Sequence, residues 1–229
     1  MRHEFWQTLG ITFQLAGVTS LFLLLLGIPL AFYLSRMRSR FKPVLEALVS
    51  MPLVLPPTVL GFYLLLAFSP ESALGTFLYD RLGIKLVFTF SGLVVGSIIY
   101  SLPFMVQPVQ SGLENLPANL AEASYTLGKS KWETLLRVQL PNIKPSLLTG
   151  IVLSFAHTVG EFGVILMIGG NIPGETRVAS IAIYDEVEGL NYALANRYAL
   201  VLLAFTFCIL LLVYTINRRA ARKQQGPYL

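Results

Sequence analysis

Five blocks of about twenty apolar residues each, set apart by short polar stretches, leave this chain little choice of solvent other than a lipid bilayer. They run over 11–34, 44–68, 86–107, 146–168 and 198–216. Each is close to the ~20 residues a helix needs to cross ~30 Å of hydrocarbon. Runs such as 21–26 are apolar at every position, whereas the strands of a membrane barrel alternate apolar with polar. Only 13% of the 229 residues are charged against 55% hydrophobic, and the mean hydropathy is +0.67. That is about half the charge of a soluble domain, too little to clothe such a core in water. The expected fold is an all-α integral membrane protein with five transmembrane helices, a single domain over 1–229 with no room for a separate soluble unit.

Charge placement orients the helices. Twelve of the 17 Lys and Arg residues fall in 35–42, 108–145 and 217–229. The positive-inside rule puts those segments in the cytoplasm, with the N-terminus outside and the C-terminus inside. The same rule accounts for a net charge of +5, and no basic stripe with stacking aromatics points to nucleic acid. The first block lacks a small-residue cleavage site and is followed by Arg36, Arg38, Arg40 and Lys42. It is therefore expected to be a retained helix rather than a signal peptide. A lone Cys208 and only two histidines, His3 and His157, give no metal-ligand set, and no metal site is expected.

The longest polar stretch on the expected cytoplasmic side is 111–144. Pro117 suits the first turn of a helix. Leu120, Ala123 or Ser124, and Leu127 then recur at helical spacing, which makes a narrow apolar stripe. Gly128 closes that helix, because glycine takes up positive φ at little cost. Ser130 and Glu133 have the spacing of a reciprocal capping box opening a second short helix, which carries Trp132, Leu135 and Leu136 and ends before Pro141. The loop is thus two short helices around a glycine elbow, too short to hold in water without packing on something.

Within the membrane blocks, Pro52, Pro56, Pro57 and Gly61 crowd one helix, and each proline removes a backbone hydrogen bond. Broken helices of this kind present backbone groups to a substrate in many transporters, with Thr58 the nearest polar side chain. His157 and Glu161 are the ionisable residues of the fourth block, four apart and on one helix face. Two readings stand side by side. Thr158 and Glu161 line a translocation path as a gate, or Glu161 is clamped to His157 or to a neighbouring helix.

The spacing of Glu122-Ala123-Ser124, Gly128 and Val138-Gln139-Leu140-Pro141 resembles the E-A-A-x3-G-x9-I-x-L-P pattern of bacterial ABC-importer permeases, with Ser124 and Val138 as mild departures. The resemblance implies the type I importer core, in which 120–127 docks into a groove of a separate cytoplasmic ATPase dimer. Leu120, Glu122, Ala123, Ser124, Leu127, Gly128, Leu140 and Pro141 then form the coupling loop. Gly128-Lys129-Ser130 echoes the end of a phosphate-binding loop, but the required earlier glycine is Ala123 and no strand precedes it. No cofactor is expected in this chain, and ATP and Mg belong to the partner ATPase.

The runs 52–61, 160–163 and 170–177 look like those of molybdate-type permeases, a likeness running from about Thr8 to the last helix. It implies molybdate uptake across a bacterial inner membrane, with a path lined by Pro56, Pro57, Thr58, Thr158 and Glu161. Asn171, Pro173, Gly174 and Arg177 would then lie on an outer loop facing an extracytoplasmic binding protein. Neither the additional N-terminal helix nor the C-terminal regulatory domain of some relatives is expected. Tungstate and sulfate or thiosulfate are alternative cargoes, and an ATP-independent channel or secondary transporter is the rival class. One copy supplies only five helices, so a two-fold pair is expected to enclose the path. The residues show no converging arginines of the kind a tight anion site needs, which suits a conduit that leaves selectivity to an external protein.

Overall fold

The structure, a computed structural model, describes the backbone of residues 2–224 and the side chains of residues 3–215. The basic side chains of 217–229 used in the orientation argument lie outside the described residues. Helix α1 spans Arg2–Arg36, about 52 Å at 1.5 Å per residue and longer than the hydrocarbon core. A short basic turn leads to α2 (Lys42–Val54) and α3 (Pro57–Phe68), then α4 (Ala73–Leu82) and α5 (Phe90–Glu114). The polar loop holds α6 (Ala118–Thr126), α7 (Lys131–Thr134), a π-helical turn (Leu135–Gln139) and α8 (Leu140–Asn142). After it come α9 (Lys144–Gly160), α10 (Gly163–Gly169), α11 (Ala179–Glu188) and α12 (Tyr192–Gln224).

Among the described residues three helices, α1, α5 and α12, are long and apolar enough to cross a membrane unaided. The expected second and fourth spans are not single helices. The block at 44–68 breaks at Leu55-Pro56, where α2 and α3 meet at 110°, and the block at 146–168 breaks at Glu161-Phe162, where α9 and α10 meet at 60°. Five crossings result only if each bent pair counts as one. The first break follows from Pro56 and Pro57, which supply no N–H to continue the ladder, so α3 restarts with proline at its first position.

Helices α1, α5 and α9 form the centre, and the second halves of the broken pairs, α3 and α10, pack on each other beside α5. Leu15, Leu60, Leu93, Val164 and Ile168 bury one end of this core. Leu23, Leu34, Met105, Val109, Leu135 and Ile143 bury the other, tying the polar loop to α1 and α5. Helix α12 lies outside, touching the bundle through Phe205 against Phe13 (4.4 Å) and exposing Leu203, Phe207 and Leu212. So much uncovered apolar surface on a 33-residue helix suits lipid contact.

Two short helices, α4 and α11, fall outside the five predicted blocks. The signals for α4 were local and readable: Ser72 accepts the Gly75 N–H at 2.8 Å, and Gly83 stops the helix at φ 65°. Helix α11 has no side-chain cap of its own residue; instead Thr12 of α1 accepts the Ala179 N–H at 2.8 Å, a contact no local pattern announces.

Candidate functional site

The polar loop is jointed as its caps predict. Gly128 sits at φ 75°, and its N–H reaches Tyr125 O (2.9 Å) while Lys129 N–H reaches Ser124 O (3.2 Å). That pair of bonds is the Schellman closure of α6. Ser130 then accepts the Glu133 N–H at 3.2 Å and opens α7. The capping box is only half formed. The Glu133 carboxylate turns to Lys129 (2.8 Å) and Arg137 (3.2 Å) instead of back to Ser130. The Lys129 hydrogen bond, followed by the charges of Lys129 and Arg137, holds that carboxyl below the usual carboxylate range.

Two further expectations for the loop are corrected. Pro117 stands at the N-cap of α6, one position before its first turn. The second short helix does not end before Pro141. Leu140 N–H bonds Leu135 O, five residues back, in a π turn, and the chain stays helical through Asn142. Widening the turn ahead of Pro141 accommodates a residue with no N–H and a bulky ring. The face of α6 that the chain itself buries differs from the apolar stripe. Ala121 and Ser124 are buried and Leu120 partly so, whereas Glu122 and Ala123 are exposed and Leu127 is 78% exposed.

Ser124, read from sequence as a mild departure from a family alanine, has a partner. Its hydroxyl lies 2.8 Å from that of Thr134, and both residues are buried. This bond fastens α6 to α7 across the glycine elbow. Phe32 of α1 meets the Trp132 ring at 5.8 Å, and Arg36 lies over Phe32 and Tyr125. The joint is thus braced against α1, while Leu127 and Leu136 (60%) stand exposed and Trp132 keeps about half of its surface (54%) open. Leu140 is partly buried and Pro141 exposed.

The break between α9 and α10 places Glu161 beside the middle of α5. Its backbone is extended (φ −66°, ψ 134°), so it caps α9 rather than continuing it. Its carbonyl accepts from Ser180 at 2.5 Å, but neither carboxyl oxygen has a hydrogen-bond partner, although the residue is only 3% exposed. Ser97 on α5 approaches the carboxyl without meeting hydrogen-bond geometry, and its own hydroxyl is unpartnered too. The pairing of Glu161 with His157 is not found. His157 Nδ1 lies 2.9 Å from Ser101 Oγ, and its ring stacks on Phe104 at 4.1 Å. Thr158 is also held by Ser101 (3.1 Å) and by Ser154 O (2.9 Å). The helical face that would have put the two ionisable groups together stops at Gly160.

Glu161, Thr58, Pro57 and His157 line one cavity of about 440 Å³. Pro56 caps α3 at its edge and is exposed, and Thr158 sits one layer behind the wall. The approach of the two broken helices depends on Gly163. A Cβ there would lie 2.8 Å from Pro57 Cβ and 3.3 Å from Thr58 N. Of the predicted path residues, the fold therefore brings Pro57, Thr58 and Glu161 to one surface, and Tyr100, which sequence reasoning did not single out, completes it.

The run 170–177 is a compact turn at the Phe90 end of α5, away from the polar loop at its Glu114 end. Phe88 N–H reaches Ile168 O at 2.9 Å, and Thr176 fills the turn by donating to Gly169 O (2.7 Å) and accepting from Ile172 N–H (3.1 Å). Arg177 pairs with Asp185 (3.1 Å) and Glu186 (3.7 Å), and Asn171 donates to the same Asp185 carboxylate. Asn171 and Arg177 are thereby internal braces, and Ile172, Pro173, Gly174 and Glu175 form the exposed tip. Among the described residues no group of three His, Cys, Asp or Glu side chains is placed to hold a metal ion.

Comparison with known proteins agrees with this geometry. Residues 24–223 match the family described as binding-protein-dependent transport system inner membrane component. The molybdenum transport system permease protein ModB of Azotobacter vinelandii is 47% identical over 91% of this chain and 92% of its own length. Its Escherichia coli K12 counterpart is 35% identical over 80% of each chain. The sulfate transport system permease protein CysT of the same strain is 35% identical over 94% of this chain and 78% of its own. Among solved structures, a bacterial ABC transporter that imports the acidic polysaccharide alginate superposes with a TM-score of 0.76 at 18% identity, covering 94% of this chain and 79% of that one. The MetNI methionine ABC transporter gives 0.68 at 19%, over 96% and 95%. At those identities the likeness is one of fold: an ABC-importer permease.

Proposed function

This chain belongs to the family of binding-protein-dependent transport system inner membrane components, a multi-pass protein of the bacterial inner membrane, and on that premise we propose that it is the permease subunit of an ATP-driven molybdate importer. The observation that carries the drive mechanism is the jointed loop. It is braced by the Ser124–Thr134 bond and the Phe32–Trp132 contact, and it leaves Leu127 and Leu136 uncovered. A rigid joint with uncovered apolar side chains can pass force from a docked partner into the bundle. In this reading the loop at 111–144 is cytoplasmic, an ATPase dimer binds ATP and Mg, and this chain does no covalent chemistry. The N-terminus lies outside, each bent pair counts as one crossing, and the whole of 1–229 is one permease domain.

A second copy of the chain covers the face of α2 and α3 on which Leu53, Val54, Phe62 and Tyr63 stand exposed. Thr58 is exposed on the same broken pair. The pair encloses a path in which Thr58 and the unpartnered Glu161 carboxyl change access when the loops move. An external binding protein docks at the tip formed by Ile172, Pro173, Gly174 and Glu175, with Asn171 and Arg177 holding that tip in place through Asp185. Arg177 is neutralised by Asp185 and Glu186, which supports a conduit that holds a dianion weakly and takes its selectivity from the binding protein.

Molybdate is favoured over sulfate by the relative at 47% identity, against 35% for the sulfate permease. The test is uptake of radiolabelled molybdate in a strain lacking this gene and complemented with it. Competition by tungstate is expected and competition by equimolar sulfate is not. Equal competition by sulfate overturns the cargo. Glu122→Lys on the exposed side of α6 should reduce recovery of the ATPase with the tagged permease, and an unchanged complex overturns the docking role.

A further inference from the structure

A second cavity shares part of its wall with the coupling loop but lies apart from the Thr58–Glu161 path. It measures about 660 Å³, inside the range of ~300–1,000 Å³ typical of small-ligand pockets. It lies between the last turn of α1, the end of α5 and the inner side of α6. Arg36, Arg38 and Lys131 line it, and among the described residues none of them has an ion-pair partner. One neutral donor joins them: the Tyr125 hydroxyl is buried without a partner, while the neighbouring Gln139, only 6% exposed, leaves its amide oxygen, an acceptor, unpartnered. Of the two carboxylates on the wall, Glu114 is taken up by Lys42 at 2.8 Å and by Gln110, which leaves Glu122 against three cations.

We propose that this cavity binds a phosphate-class oxyanion, and that its source is the headgroup of an anionic phospholipid. The chemistry of the wall is that of an anion site: positive charge on a rim, with an unspent phenol on the same wall. Burying such a polar group without a partner is unfavourable, so a ligand that satisfies it is stabilised. The position selects the lipid over a free ion. The cavity opens where the apolar surface of α1 ends, just past the exposed Leu25, Leu26 and Tyr33, at the depth of a bilayer headgroup. Basic pockets at helix ends on the membrane boundary suit such headgroups. Because Tyr125 belongs to α6 and Lys131 to α7, an occupied site would also stiffen the loop against α1. The inference rests on the membrane placement of the chain and not on its cargo.

The test counts lipid bound per permease copy by native mass spectrometry. The purified protein, with its co-purifying ATPase and alone, is titrated with phosphatidylglycerol and with phosphatidylcholine. Retention of phosphatidylglycerol and not phosphatidylcholine is expected, and tenfold excess inorganic phosphate should not displace it. Each cation near an anionic lipid is worth about a fivefold change in affinity, so Arg38→Gln with Lys131→Gln should lower retention roughly 25-fold. Tyr125→Phe, which removes only the hydroxyl, should lower it severalfold while leaving the fold intact. Unchanged retention in both variants overturns the site. Displacement by inorganic phosphate overturns the lipid source, and binding only when the ATPase is absent shows a protein partner in the cavity and overturns the proposal. Binding is read without transport, so these outcomes are distinct from a failure of the importer reading.

Discussion

Removing the Ser124 hydroxyl isolates the bond that fastens the two halves of the coupling loop. In Ser124→Ala the Thr134 hydroxyl, fully buried and otherwise without a side-chain partner, is orphaned. An unsatisfied buried hydroxyl costs ~1–3 kcal/mol. The low end applies if Thr134 can swing its hydroxyl onto a carbonyl one turn back, where Ser130 O already takes the Thr134 N–H. Alanine at a helix interior returns about 0.5 kcal/mol of propensity, leaving a net loss of about 0.5–2.5 kcal/mol. Helix α6 has only nine residues and depends on tertiary contacts for its stability, so the loss should appear as local opening. Amide hydrogen exchange across 118–127 is the assay, and the expected acceleration is roughly 2- to 70-fold. Thr134→Val added to Ser124→Ala removes both hydroxyls and should recover most of the protection. Exchange in Ser124→Ala that matches or is slower than wild type, with no rescue in the double variant, would mean that the apolar contacts of Trp132 and Leu135 alone hold the joint.

Gly128→Val forces a β-branched residue into φ 75°, at ~1–2 kcal/mol or more, and should lower uptake while membrane levels measured by immunoblot stay at wild type. Gly163→Ala drives a methyl against Pro57 and should cost ~1–3 kcal/mol, seen as a lower melting temperature in detergent. Gly160→Ala, three residues away with open space around its Cβ, should leave that temperature unchanged. Glu161→Gln keeps the shape of a carboxyl that has no partner, so it should change uptake or basal ATP hydrolysis severalfold at constant melting temperature. A drop in melting temperature with intact uptake would make Glu161 a packing group.

Most of what was legible in the sequence is local. The apolar blocks, the Gly128 closure and the Ser130 cap each depend on residues within one helical turn or one membrane thickness, so a linear reading finds them. The same holds for the break at Pro56-Pro57, since a missing N–H acts on its own helix. What stayed illegible is what a segment meets. Leu127 has helical spacing with Leu120, yet the π turn and α7 pack on α6, whose Ala121 and Ser124 are buried while Leu127 is left outside.

Glu161 shows the same division. Sequence placed it four residues from His157, and on an unbroken helix the two would share a face. Only the fold ends α9 at Gly160, gives His157 to Ser101, and leaves the carboxyl unpartnered beside Thr58. Arg177 likewise read as an outer-face cation until α11 brought Asp185 and Glu186 to it. The sequence by itself determined that this chain lives in lipid and carries a capped, glycine-jointed loop, because burial in a bilayer and helix capping are properties of short segments. The tertiary structure alone decided which polar groups are satisfied and which are left facing a cavity, because that depends on side chains brought together from distant parts of the chain.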